Sequence, residues 1–345
     1  MANPFIISFG KIPANYVSRS KITHEIFESF TATHPDRQAV ILSGARGSGK
    51  TVAMTAIAKE FKQHEDWVVI ELNPERDLLT GLLSKLYDHY PLQSIFAELK
   101  LNLSAFGIVD TTISSRPPVA DIETALSHVL GSMKKHEKKL LICIDEISNN
   151  EYMRVFASAY QILIRNDHPV YLIMTGLFEN IRSLENDKAL TFLYRTPKIY
   201  LEPLNISAVA FQYEDLLQVD PETSLELAKL TKGYSFAFQV LGHLLWDEPE
   251  HKVTRKVLAE FDQYMAEYVY EKIWSEMSKV EQSIVLAIPE DKIKTSDLLK
   301  KTGLEKNTYS VYRDRLIKKG ILDSREHGSI QFALPRFYQY LRTVR

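Results

Sequence analysis

Eight consecutive residues, Gly44, Ala45, Arg46, Gly47, Ser48, Gly49, Lys50 and Thr51, have the types and spacing of a phosphate cradle. Glycines at the first, fourth and sixth places let successive backbone N–H groups curl around an anion without side-chain obstruction. A helix beginning at Lys50 adds unpaired N–H donors and the positive end of its dipole. Lys50 then neutralises the β- and γ-phosphates of a triphosphate, and Thr51 offers its hydroxyl to Mg²⁺. The cofactors implied are ATP and Mg²⁺.

A second group suits hydrolysis. Asp145 and Glu146 follow the apolar run LLICI at 140–144. Asp145 is placed to hold Mg²⁺ through its water shell, and Glu146 to orient and deprotonate an attacking water. Alone, such acids would simply open the next helix, where negative charge is favoured; following a phosphate loop, they read as hydrolytic carboxylates. Thr175, after VYLIM, either offers its hydroxyl to a γ-phosphate or lytic water, or forms the turn before Gly176. Arg195 is the candidate arginine finger, acting on its own nucleotide or a neighbouring subunit's, with Arg182 as the second candidate. The catalytic set is therefore Glu146, Lys50, Thr175 and Arg195.

The elements that position these groups are legible as apolar runs. Short strands are expected at 39–42, 67–72, 140–144, 170–174 and 198–201, with helices over 50–62, 77–89, 92–103, 120–136 and 152–165 between them. The stretch 105–118 reads as a hairpin or a loop. Strands alternating with helices imply an α/β fold with a parallel five-stranded sheet, helices on both faces and every strand ending at one edge. Ligands bind at that edge, and the polar signatures at 44–51, 145–146 and 175 all fall on strand ends. Beyond Pro203 the strand signal stops, and 206–272 reads as helices alone.

The last 70 or so residues read as a winged helix: helices over 280–288, 297–301 and 307–319, then strands at 321–323 and 329–334 around a tip at His327 and Gly328. Gly320 is placed to stop the third helix in a left-handed cap. Residues 277–345 carry 14 Lys/Arg against 8 Asp/Glu, about +6, while the rest of the chain stands near −8. That asymmetry makes the C-terminal part the candidate DNA face. Lys306, Tyr309, Ser310, Arg313 and Lys318 would face outward, mostly onto phosphates, with Asn307 at a base edge. A protein-contact role for the same module remains open. The terminal PRFYQYLRTVR reads as a packing strap.

Composition excludes several classes. No apolar stretch approaches the roughly 20 residues of a membrane span, and no Cys/His spacing suits zinc. The lone Cys143 sits in a buried strand. A cytoplasmic protein with no membrane partner is expected.

In order and spacing these motifs resemble the AAA+ ATPases, over the chain to about residue 272, and within them the branch of archaeal-type, STAND and origin-recognition-like ATPases. GARGSGKT and ICIDEIS carry the phosphate and magnesium motifs, YLIMTGL the first sensor strand, and FLYRTPKIYLEPL the arginine segment. The lead-in from Ile12 to Arg19 falls where these proteins pack adenine, so the resemblance assigns Tyr16 and Val17 to the base pocket. It implies a P-loop NTPase core over 1–203, a helical lid over 204–272 and a winged-helix domain over 273–345. At 231–237 the lid has neither the arginine of initiators nor the proline of many STAND proteins. The function implied is an ATP-binding and ATP-hydrolysing regulator whose nucleotide state repositions the winged helix. The alternatives are a DNA-binding ATPase of initiator or transposition-helper type, and a nucleotide-binding scaffold with negligible turnover. A protein partner or a homo-oligomer fits all three.

Overall fold

A computed structural model of the chain describes residues 2–8, 12–108, 117–187 and 190–344. The chain divides into two compact units. One gathers Met1–Arg19, Gly44–Val52 and Tyr200–Arg345; the other holds Ser20–Ser43 and Ala53–Ile199. This division cuts across the three bodies expected from the sequence. The phosphate loop belongs with the lead-in segment and everything after residue 199.

The second unit is built on one sheet of β1 (Ala39–Ser43), β2 (Trp67–Leu72), β3 (Lys139–Ile144), β4 (Val170–Gly176) and β5 (Lys198–Tyr200), in the order β2-β3-β4-β1-β5. Pairing is parallel from β2 through β3 and β4 to β1. β1 and β4 are buried along their whole length, which is why their sequences are continuous apolar runs rather than alternating ones. Ser43 pairs with Gly176 and Ile144 with Met174, so β1, β3 and β4 end at one edge. Helices Leu78–Asp88, Ile122–Lys135 and Glu151–Arg165 bury Leu82, Leu83, Leu126, Val129, Phe156 and Tyr160 against the sheet. Each starts on a side-chain cap, from Asp77, Asp121 and Asn150, of the kind that satisfies orphan N–H groups at a helix start.

Between these, the helix expected over 92–103 is shorter, Gln93–Leu99, because Lys100 adopts a left-handed conformation that closes it. The hairpin or loop expected over 105–118 lies in part outside the described residues. Cys143 is buried, and burial pushes its thiol up to about 12.

The first unit has one continuous apolar core. It joins Phe5 and Val17 of the N-terminal segment, Ala45 of the phosphate loop, the helices after residue 205 and the C-terminal module. Helices Ile206–Leu217, Pro221–Leu230, Ser235–Trp246 and Arg255–Met265 follow the expected pattern. Within the stretch that reads as helices alone, a π-helical turn at Ala266–Tyr270 separates helix Arg255–Met265 from Glu271–Ser275. The wider turn lets the adjacent Val269 and Tyr270 both point inward. Tyr270 stacks its edge on Phe337, and its hydroxyl donates to the Pro335 carbonyl.

The C-terminal module consists of helices Lys279–Ala287, Thr295–Thr302 and Lys306–Lys318, and a sheet of β6 (Ile293–Lys294), β7 (Leu322–Asp323) and β8 (Ser329–Phe332) in the order β6-β8-β7. Strand β6, two residues long, carries no sequence signal. The terminal strap is a helix, Phe337–Thr343, with Phe337, Tyr340 and Leu341 buried. No helix among the described residues is long and apolar enough to cross a membrane.

Candidate functional site

The phosphate loop leaves β1 and ends in helix Lys50–Phe61. Gly47 and Gly49 have φ of 77° and 87°, values that side chains with a Cβ rarely adopt. At Gly47 there is also no room. A Cβ there would lie 2.6 Å from the Tyr234 hydroxyl. Lys50 is 9% exposed, and its Nζ donates to the carbonyls of Gly44 (3.1 Å) and Ala45 (2.9 Å). The Ser48 N–H closes a turn onto the Ala45 carbonyl. The Ser48 hydroxyl is buried with no protein partner among the described residues.

Three successive lid residues reach the loop. Tyr234 gives its hydroxyl proton to the Arg46 carbonyl, Ser235 gives its own to the Ser48 carbonyl (2.9 Å), and the Phe236 N–H goes to the Gly47 carbonyl (3.1 Å). Arg19 adds a further donor, with one guanidinium nitrogen on Ser48 O (3.1 Å) and another on Glu202 O (2.7 Å). Burial lowers the Arg19 pKa from its ordinary value. Of the lead-in pair, Val17 is buried in the core that contains Ala45, and the half-buried Tyr16 accepts the Arg19 N–H on its hydroxyl. The C-terminal module also touches the loop. A Cβ built on Gly320 would stand 3.0 Å from the Ala45 Cβ. Arg46 pairs with Glu276 at 3.4 Å. Lys232, just before the lid contacts, donates to the Phe332 carbonyl of β8 at 2.8 Å. Sequence reasoning missed Arg19, Tyr234 and Ser235; their only signal was proximity to quoted motifs.

In the sheet unit, Asp145 is half-buried and Glu146 exposed, directly after β3. Glu146 has a φ of 53°, a left-handed residue without glycine's freedom. Thr175 on β4 explains how that is held. Its hydroxyl donates to Asp145 Oδ1 and accepts the Glu146 N–H (3.0 Å), while its carbonyl accepts the Ile147 N–H (2.8 Å). Thr175 is 0% exposed, so in this state its one proton serves the carboxylate turn instead of facing outward to a phosphate. Arg195 ends helix Thr191–Arg195 and is exposed, whereas Arg182 is half-buried in the last turn of Phe178–Glu185.

The six candidate nucleic-acid residues do not share one environment. Lys306, Asn307 and Ser310 are exposed on the first half of helix Lys306–Lys318. Arg313 is half-buried, and Lys318 pairs with Asp314 at 2.9 Å. Tyr309, expected outward, is 2% exposed and faces the core, because a helix that buries Leu316 also turns position 309 inward, seven residues earlier. Just past the helix, Lys319 is tied to Glu281 at 2.7 Å.

Residues 267–341 match the family described as "Domain of unknown function (DUF8462)". Among curated proteins, none matches the chain in sequence. Among solved structures, the Walker-type ATPase of Pyrococcus abyssi is similar over 97% of this chain and 99% of its own, with a TM-score of 0.59 at 15% identity. Cdc6p from Pyrobaculum aerophilum gives a TM-score of 0.48 at 12% identity, over 98% and 96% of the two chains. A STAND protein with a tetratricopeptide repeat sensor from Pyrococcus horikoshii gives 0.42 at 16%, over 96% of this chain and 43% of that one. The first likeness is one of fold. With the five-stranded sheet and the glycine loop, it makes the architecture that of a P-loop NTPase.

Proposed function

We propose that this chain is a magnesium-dependent ATP-binding and ATP-hydrolysing regulator of the AAA+ type, whose nucleotide state repositions a C-terminal winged helix. The observation that carries this reading is the contact of Gly320 with Ala45, inside one compact unit that holds the phosphate loop, the lid and the C-terminal module. A loop that changes shape around a triphosphate cannot keep Ala45 where Gly320 needs it. Different fits of ATP and ADP to two arrangements are what a switch requires.

The residues fit the ligand. The loop's left-handed glycines, a buried lysine and a helix N-terminus are the parts of an anion cradle. Thr51 carries a hydroxyl and Asp145 a carboxylate, the kinds of hard oxygen donor that suit Mg²⁺. When bound, Mg²⁺ would supply charge neutralisation to the triphosphate. Glu146 would orient and deprotonate the water, and Thr175 would hold Asp145 and the Glu146 turn in place. The exposed Arg195 would act as the finger, in a homo-oligomer if the nucleotide belongs to a neighbour.

Two measurements test this reading together. Phosphate release is followed in wild-type protein with Mg²⁺. Amide exchange over 44–47 and 318–321 is compared in ATP and in ADP. Turnover with exchange that differs between the nucleotides supports the switch. ATP binding without turnover points to the scaffold, and identical exchange overturns the repositioning.

A second reading, a DNA-binding ATPase, is favoured by the exposure of Lys306, Asn307 and Ser310 on the outward half of their helix. It requires a duplex mobility shift that weakens steeply with salt.

A further inference from the structure

The three lid contacts have a geometric consequence for phosphate binding. In a trans peptide the C=O and the following N–H lie in one plane and point in opposite directions. The carbonyl of Arg46 shares its peptide with the Gly47 N–H, and the carbonyl of Ser48 shares its peptide with the Gly49 N–H. Tyr234 and Ser235 hold these two carbonyls toward the lid. Neither glycine N–H is given to a protein acceptor among the described residues.

We propose that Tyr234 and Ser235 are positioning residues for the phosphate site, which hold the Arg46 and Ser48 carbonyls outward and thereby aim the Gly47 and Gly49 N–H groups at a polyphosphate. The inference rests on the nucleotide-binding reading and adds to it the residues that set the cradle's donors. Three further observations support it. The Tyr234 ring lies against Gly47, so the loop cannot rotate that peptide without displacing the ring. Burial holds the Tyr234 hydroxyl protonated far above its usual range, which keeps it a donor. The Ser235–Trp246 helix has no side-chain cap of its own, and the Gly47 carbonyl satisfies its Phe236 N–H instead. Loop and lid helix therefore need each other's polar groups. A carbonyl that accepts a hydrogen bond also polarises its peptide and strengthens the opposite N–H as a donor.

The test is calorimetric titration of the full chain with ADP, inorganic pyrophosphate and adenosine, using wild type, Tyr234→Phe, Ser235→Ala and Ser235→Thr. Tyr234→Phe removes only the hydroxyl. Its affinity for both ADP and pyrophosphate should fall about tenfold, the worth of one lost hydrogen bond of this kind. Ser235→Ala should fall comparably, Ser235→Thr should recover most of the loss, and adenosine binding should not move. Amide exchange at 46–49 without ligand should quicken in the first two variants. Affinities within twofold of wild type, or a loss that extends equally to adenosine, overturn the inference. Wild-type protein that binds neither ADP nor pyrophosphate overturns the functional reading itself.

Discussion

In the sheet unit the Asp145 carboxylate and the Glu146 backbone N–H are held by Thr175, 30 residues from Asp145 on the adjacent strand. In the other unit the phosphate loop is fixed by residues 187 and 188 positions away. Asp145 and Glu146 rest on Thr175 through strand register: once β3 and β4 pair with Ile144 opposite Met174, Thr175 is the next residue along. Within the cradle Lys50 holds only the Gly44 and Ala45 carbonyls. The carbonyls of Arg46, Gly47 and Ser48 are held by the lid and Arg19, and Ala45 lies against Gly320. A carboxylate turn anchored to a sheet keeps its geometry as long as the sheet exists. A loop anchored to a helical layer shares every movement of that layer.

Perturbing each support separately should expose the difference. The largest effect is expected from Glu146→Gln, which keeps the turn but removes the base. Phosphate release should fall by about 10²–10⁴ while ATP affinity stays within a few-fold. Release that survives this change removes Glu146 from the chemistry. Next comes Thr175→Val, of similar shape but without the hydroxyl. It removes the acceptor of the Glu146 N–H and the hydrogen bond to Asp145 Oδ1, at a cost of about 1–3 kcal/mol, so kcat should drop about 5- to 100-fold with ATP affinity in EDTA unchanged, and Thr175→Ser should restore it. A change in the ratio of ATP to ADP affinity would instead point to direct phosphate contact by Thr175.

Gly320→Ala probes the other unit. Gly320 has a φ of 72°, and its new Cβ would crowd the Ala45 Cβ. The left-handed conformation alone costs about 1–2 kcal/mol, so the melting temperature should fall by about 2–8 °C, with faster amide exchange at 44–47. A fall in melting temperature without that exchange change would mean that the module does not brace the loop.

The smallest effect is a pH dependence. Glu281 is 1% exposed, caps its own helix at Ser278 and pairs with Lys319. Burial acts to raise its pKa, but the hydrogen bonds from Lys319 and Ser278 outweigh it and leave the carboxyl below its usual range. A depressed folded-state pKa gives stability that is present above the unfolded value, near 4.3, and lost as pH falls through the folded one. Glu281→Gln should therefore lower stability at pH 7 and flatten the loss below about pH 4. An unchanged acid limb would remove this pair from the module's stability.

Much of the sheet unit was legible because its signals are local. Apolar runs such as AVIL and LLICI can be satisfied only as strands covered on both faces, and the polar residues at their ends mark one edge. The glycine loop was legible for the same reason, since its backbone shape demands those residue types in that order. What could not be read is where polar groups meet across long separations. Tyr234 carries no role of its own in the stretch 231–237, which stands out only for lacking an arginine or a proline, Tyr309 reads as an outward contact, and the π turn at 266–270 as plain helix, because each depends on what packs against it.

The sequence by itself determined the phosphate loop, the succession of the five strands of the parallel sheet, and the acidic pair at the end of β3, because periodicity, glycine placement and strand-end chemistry are properties of a few neighbouring residues. Only the tertiary structure decided that Thr175 faces Asp145 and Glu146, and that the loop belongs with the lid and the C-terminal module. Hydrogen bonds and contacts such as Tyr234 to Arg46 or Gly320 to Ala45 are fixed by three-dimensional packing, and no residue pattern along the chain encodes them.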